Sequence, residues 1–316
     1  MCISKNFTII IPCINFEDVE DCLIKIRSVY RSIKIIVCLN KKIRFKNKDK
    51  NTKFIYANSN SIGEKRNIAA KAAKTKFLAF IDSDAFPKKY WVENSLKFIN
   101  IKNVGIVSGP NIDPKKQNYN EEIIGLLKKS FLITMKPGFQ RGYIKKPQFV
   151  KFLPSVNWIL KKEVYFKNNL MNSKMIRNED WDFVHRLKKL NQKVFYSPNC
   201  VVFHKNGSIL HFIKKRFKYG FFMWNVMNKI NSENFYFFIP FLFCLFLISF
   251  PLIFIFNFYL IIYSSVLISF IVVVFFETLR ISYKYKYLVR IFILLILCTL
   301  SPGFGIMLSI FNNKRN

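Results

Sequence analysis

Residues 235–276 run for 42 positions without a charged side chain, and no other feature constrains the chain as tightly. One bilayer crossing takes roughly 20 apolar residues, so the run is long enough for two helices. Pro251, Asn257 and the Ser264-Ser265 pair offer breaks, and a turn near Asn257 predicts a helical hairpin. A buried helical pair in a water-soluble core keeps a polar stripe, which this run lacks. Arg280, Lys284, Lys286 and Arg290, interleaved with tyrosines, then have the pattern of an interfacial segment on the cytoplasmic side, with cations snorkelling and rings anchoring. A third apolar stretch, about 288–311, is interrupted by Ser301-Pro302-Gly303-Phe304-Gly305 and is expected as an irregular helix. A third crossing would carry Lys314 and Arg315 outside, whereas a re-entrant or interfacial helix would keep them inside; both readings stay open.

Before residue 235 the balance is different: 45 of the 51 Lys and Arg stand there against 17 of the 18 Asp and Glu. Two bland causes fit such an excess, compositional drift toward Lys, Asn, Ile and Phe, or general attraction to anions. Nucleic acid is disfavoured as the partner, because the lysines are scattered and no recognition motif accompanies them. An anionic membrane surface uses the same charge more economically. Seven cysteines, odd in number and without a C-x-x-C, read as small buried hydrophobes in a reducing compartment. The first twelve residues predict no cleavable signal peptide.

In the charged part, residues 7–11 and 33–39 are β-branched runs flanking a helical pattern at 19–31, the order of a βαβ unit with a parallel sheet. A short third strand is expected at 54–57, then a helix opening at Ser61-Ile62-Gly63-Glu64 and continuing through 65–74. Residues 77–81 form an apolar strand that ends at once in Asp82-Ser83-Asp84. Ligands of open α/β sheets sit beyond the carboxyl ends of strands. Two carboxylates held there repel each other and call for a cation, and magnesium or manganese binds through one or two carboxylates plus substrate phosphates.

Several short motifs in one order resemble glycosyltransferase family 2, the GT-A nucleotide-sugar transferases, over about residues 7–220. They are Ile11-Pro12-Cys13-Ile14-Asn15, Gly63-Glu64-Lys65-Arg66-Asn67, Phe80-Ile81-Asp82-Ser83-Asp84-Ala85-Phe86-Pro87, Asn157-Trp158, Asn178-Glu179-Asp180-Trp181-Asp182 with Arg186-Leu187, and Tyr196-Ser197-Pro198 leading to Val202-Phe203-His204. The resemblance implies an α/β GT-A domain, Rossmann-like with a mostly parallel central sheet, at 1–220. A juxtamembrane linker at 221–234 and a helical transmembrane region at 235–316 follow.

It also implies roles. Asp82 would meet the nucleotide's ribose or diphosphate, and Asp84 and His204 would hold the divalent metal. Arg66 would face phosphate or a base carbonyl, while Pro12, Asn15 and Asn40 would shape the nucleotide cleft. Asp180, beside Glu179, would take the acceptor hydroxyl's proton in an inverting transfer, and Trp158 and Trp181 would stack on a sugar or pack in the core. The implied partners are a nucleotide-sugar donor, a lipid-linked or lipid acceptor in surface glycan synthesis, and membrane lipids, with the domain facing the cytoplasm.

One departure stands out: the family's acid at the end of the second strand is replaced by Asn40-Lys41-Lys42. That leaves a non-catalytic scaffold as an alternative. No Q-x-x-R-W follows His204, which disfavours a processive synthase, and no Leu-Gln follows the D-x-D, which disfavours a polyprenyl-phosphate sugar synthase.

Overall fold

The computed structural model describes residues 3–14, 16–42, 49–134, 137–227, 237–282 and 284–313. They form two compact units, Met1–Lys115 with Gly138–Lys205, and Lys116–Pro137 with Asn206–Asn316. The first unit thus closes at Lys205, fifteen residues before the expected boundary, because residues 209–227 are one continuous helix of the second unit.

In the first unit the strands are β1 (Phe7–Pro12), β2 (Lys34–Leu39), β3 (Thr52–Tyr56), β4 (Phe77–Ile81), β5 (Ala85–Pro87), β6 (Val104–Ser108), β7 (Asn111–Ile112), β8 (Gln148–Val150), β9 (Asn157–Lys161), β10 (Lys193–Tyr196) and β11 (Val202–His204). Eight of them make one sheet in the order β3-β2-β1-β4-β9-β6-β10-β8. The first four run parallel, as the βαβ pattern predicts, and β9 enters antiparallel between β4 and β6. β1 and β4 are apolar at almost every position because both faces are covered; all of their residues are buried. The edge strands β3 and β8 are short and half-exposed. A small second sheet, β5-β11-β7, closes over the end of β4.

Helix Ile62–Ala72 begins where expected. Ser61 caps it, its hydroxyl accepting from the Glu64 N–H at 3.3 Å, and the small buried side chains of Ala69 and Ala70 let it lie close on the sheet.

In the second unit, helices Asn257–Ile281 and Tyr285–Asn313 are long and apolar enough to cross a membrane. The hairpin expected over 235–276 is therefore only half realised. Its first limb is the ten-residue helix Ile239–Ile248 followed by a 3₁₀ segment, Phe250–Phe254, short of a crossing length. The interruption expected at Ser301–Gly305 does not occur either: Pro302 lies inside a continuous helix. The glycines there serve close packing. A Cβ on Gly303 would stand 2.3 Å from the Pro240 carbonyl oxygen, one on Gly305 2.2 Å from that of Phe217, and one on Gly220 1.9 Å from that of Pro302. Small residues bring backbones together in this way where helices pack without a strong hydrophobic drive. Glu277, the lone acid of these helices, is buried and accepts from the Phe131 N–H at 2.9 Å and from Arg280 at 2.6 Å.

Candidate active site

The chain turns sharply after β4, and Asp82, Ser83 and Asp84 occupy the turn before β5. β11 pairs antiparallel with β5 so that His204 stands opposite Ala85, and the Lys205 N–H donates to the Asp84 carbonyl at 2.9 Å. This pairing brings His204 to the acidic turn from 120 residues away. Its Nε2 lies 3.2 Å from Asp84 Oδ1, and ligand atoms of Asp82, Asp84 and His204 all fall within 4.8 Å of one another. All three side chains are half-buried. Two carboxylates and an imidazole, partly open to solvent, are a donor set that suits a divalent cation.

Arg66 ties this cluster to the second acidic motif. It is 1% exposed; Nη2 donates to Asp82 Oδ1 at 2.7 Å and Nη1 to Glu179 Oε1 at 3.2 Å. Both ends of the fork expected to meet a phosphate or base lie on carboxylates here, so Arg66 joins the two acidic motifs. Burial works against its charge, but Asp82 and Glu179 outweigh that and keep the guanidinium protonated. Gly63 and Asn67 of the same motif gain reasons as well. A Cβ on Gly63 would press to 3.2 Å from Glu179 Cγ, and Asn67 holds Met171 through its carbonyl and N–H at 2.8 and 3.0 Å.

Glu179 and Asp180 open helix Glu179–Leu187, preceded by Asn178 in the left-handed region at φ 64°. Asp180 Oδ2 accepts from the Ser155 N–H at 3.3 Å and its hydroxyl at 3.4 Å, a contact that no sequence signal announced. Desolvation pushes the Glu179 carboxyl up to about 7, with the neighbouring Asp180 charge adding to it and Arg66 opposing. Asp180 is raised too, again first by desolvation. Two neighbouring acids raised by burial are suited to proton transfer.

The other expected residues divide. Asn40 follows β2 and donates to Asn60 Oδ1 at 3.0 Å, and Pro12 ends β1. Asn15 lies outside the described residues. Trp158 is fully buried, donates to the Leu153 carbonyl at 2.9 Å and packs on Phe183; with neither face open, it is a core residue and not a sugar platform. Trp181 is half-buried and stacks on His185 at 5.3 Å between ring centroids.

A search of the curated proteins finds no match. Among solved structures, GalNAc-T7 with UDP, GalNAc and Mn²⁺ is similar at 12% identity and a TM-score of 0.47, over 63% of this chain and 43% of that one. The S. aureus TarS 1-349 structure is similar at 16% identity and a TM-score of 0.45, over 67% of this chain and 63% of that one. The chain thus spans less than two thirds of either relative. The family model for glycosyl transferase family 2 matches residues 8–167. That span is half of the chain and includes β1, the Arg66 helix and the Asp82-Ser83-Asp84 turn at the end of the parallel strands, so the protein belongs to glycosyl transferase family 2 and has its GT-A fold.

Proposed function

We propose that the protein is an inverting, metal-dependent glycosyltransferase. It moves one sugar from a nucleotide-sugar donor to a lipid-linked or lipid acceptor in surface glycan synthesis. The observation that carries this is the Arg66 bridge, which joins the Asp82-Asp84-His204 cluster at the end of β4 to the Glu179-Asp180 pair in one cleft.

Asp84 and His204, with Asp82 beside them, are the residues that would hold the cation. Imidazole suits manganese better than magnesium, although the two carboxylates admit both. When bound, the metal supplies positive charge to the departing diphosphate. Asp180 takes the proton of the acceptor hydroxyl as that oxygen attacks, and the Ser155 contacts fix the direction of its carboxylate. Glu179 and Asp82 are kept apart and aligned by the shared guanidinium.

Pro12 and Asn40 shape the nucleotide side of the cleft. The two long apolar helices anchor the enzyme in the membrane that holds its acceptor, and the basic run between Arg280 and Arg290 supports a cytoplasmic side for their connection.

The test uses the full-length protein in detergent or nanodiscs. Sugar release from uridine, guanosine and cytidine diphosphate sugars is followed with manganese, with magnesium and with chelator. Turnover that needs metal and is abolished by Asp84→Ala and by Asp180→Asn is expected. Full activity in either variant would remove these roles.

A further inference from the structure

Helix Ile209–Met227 carries His211, Lys214, Lys215, Arg216 and Lys218 within eight residues, and it packs lengthwise on the apolar helix Tyr285–Asn313. Their contacts set the register. Arg216 turns inward, Nη1 donating to the Ile133 carbonyl at 2.9 Å and Nε to the Cys298 carbonyl at 3.3 Å, and the Ser301 hydroxyl donates to the Ile213 carbonyl at 3.2 Å. Gly220 and Gly305 then bring the two backbones together at Pro302 and Phe217. The cationic turns thus lie beside residues 298–305. Lys214 and Lys218 stand one turn apart on the open face of their helix, exposed together with Leu210.

A crossing of the membrane by Tyr285–Asn313 conflicts with what covers it. Its first half is buried under the segment 119–134. Ile123, Leu127 and Ile133 pack on Ile291, Leu295 and Cys298, and Glu122 accepts from the Tyr287 hydroxyl at 2.5 Å. That segment also carries Glu121, Lys128 and Lys129, groups that stay out of hydrocarbon. Beyond Cys298 only fifteen residues of helix remain, roughly 23 Å, against a core about 30 Å thick. Lys214, Arg216 and Lys218 flank much of that remainder as well. Helix Asn257–Ile281 has no comparable cover: 11% of its most apolar window is buried, against 44% for Tyr285–Asn313.

What Tyr285–Asn313 leaves open from Val289 onward is one narrow ridge. Val289, Ile293, Leu297, Phe304, Leu308 and Phe311 are exposed there, three, four or seven residues apart, which makes a single stripe on a helix. A helix with an apolar stripe and cationic neighbours lies in the interface, the stripe about 5–10 Å into the acyl boundary.

We infer that Tyr285–Asn313 does not cross the membrane. It lies in the plane of the cytoplasmic leaflet with its ridge among the acyl chains, and Ile209–Met227 beside it holds the phosphates of anionic phospholipid through Lys214 and Lys218. Asn257–Ile281 is then the crossing helix. This rests on the membrane anchoring proposed above and goes beyond it by separating the two apolar helices and naming the lipid. The lipid is anionic because the open face offers ammonium groups at one-turn spacing, and each lysine near a negatively charged leaflet adds attraction.

The experiment reconstitutes the full-length protein in vesicles of phosphatidylcholine with about one third phosphatidylglycerol. A fluorophore is attached at Val289→Cys or at Leu308→Cys and quenched by nitroxides fixed at known depths along the lipid chains; the wild-type chain, whose described cysteines are all buried, gives the background. The two positions are 19 residues apart, about 28 Å along the helix. Depths equal within about 5 Å are expected, whereas a crossing helix separates them by most of the bilayer. A fluorophore at Leu210→Cys should be quenched about fivefold more by nitroxide-labelled phosphatidylglycerol than by labelled phosphatidylcholine, the worth of one lysine at an anionic surface. Lys214→Gln combined with Lys218→Gln should bring that ratio to within about twofold of unity. Unchanged depths at Val289 and Leu308 in the double variant show that its fold is intact.

Depths that differ by most of the bilayer, equal quenching by the two lipids, or a preference that survives the double Gln variant would each overturn the proposal. Absence of quenching at every position would remove the membrane anchoring itself, and the proposal with it.

Discussion

Arg66 and Arg280 each neutralise a buried glutamate, but they do it by opposite routes. Arg280 meets Glu277 three residues back on its own helix, and Glu277 also caps the Phe131 N–H, so both carboxylate oxygens are engaged. Arg66 instead spans sequence separations of 16 and 113 residues and divides one guanidinium between Asp82 and Glu179. Glu179 is left with a 3.2 Å contact, and burial first, then the Asp180 charge beside it, raises its carboxyl. A fully satisfied carboxylate is architecture; an incompletely satisfied one is free to handle protons.

The largest effect expected from breaking this contrast is at Arg66. Arg66→Met strands the buried Glu179 and leaves the partly exposed Asp82 without its cation, and removing one partner of a buried pair costs about 3–5 kcal/mol. Thermal unfolding of the full-length protein in detergent should show it directly, with sugar transfer lost as well. Arg280 is half-exposed, with its side chain 52% accessible, and in Arg280→Met the buried Glu277 keeps the Phe131 N–H, so one partly held carboxylate is stranded and the loss should be smaller than at Arg66. Equal losses in the two variants would erase the distinction.

Next in size is the proton chemistry. Asp180→Asn should lower turnover by about 10²–10⁴-fold, the usual worth of a positioned base, without a matching loss of stability. The wild-type rate should rise with pH above the ordinary carboxylate range, because desolvation raises Asp180 and only its deprotonated form accepts a proton.

Stability should move the other way. The raised Glu179 favours the folded state fully below its unfolded value near 4.5, and that contribution is lost as pH climbs through about 7. Glu179→Gln should flatten this slope in denaturation measured between pH 5 and 8. A rate that falls across this range, or a slope unchanged in the Gln variant, would contradict the assignment.

Much of the first unit was legible because its signals are local. The β-branched runs at 7–11 and 33–39 and the Ser61 cap are read within a few residues, and β1, β2 and the helix at 62–72 follow from them. The Asp82-Ser83-Asp84 turn was visible for the same reason. What Arg66 touches was not, since its partners come from different elements and burial alone decides that a guanidinium points inward. Trp158 shows the same gap: an aromatic in a motif reads alike whether it lines a cleft or fills the core. In the second unit apolar composition revealed that helices exist but not where they stop. The run 301–305 looked like an interruption because Pro and Gly usually are one, and only the neighbouring helices show that they permit close approach.

The smallest effects separate the two uses of glycine. At Gly220 a methyl group would stand 1.9 Å from the Pro302 carbonyl, and no side chain can move aside for it. Gly220→Ala should therefore cost about 1–3 kcal/mol through backbone displacement, read as a lower unfolding temperature. At Gly63 the obstacles are Glu179 Cγ and Met171 Cβ, each at 3.2 Å, so a methyl group needs a shift of only a few tenths of an ångström, most easily of the Glu179 side chain. Gly63→Ala should leave stability within about 1 kcal/mol but misalign Glu179, lowering turnover by about tenfold, as small displacements of reacting groups do. The two alanines then report on different functions of one residue type. If Gly63→Ala unfolded the protein while Gly220→Ala only slowed it, the glycine of the first motif would belong to packing and that of the helix to the reaction, the reverse of what the contacts around them require.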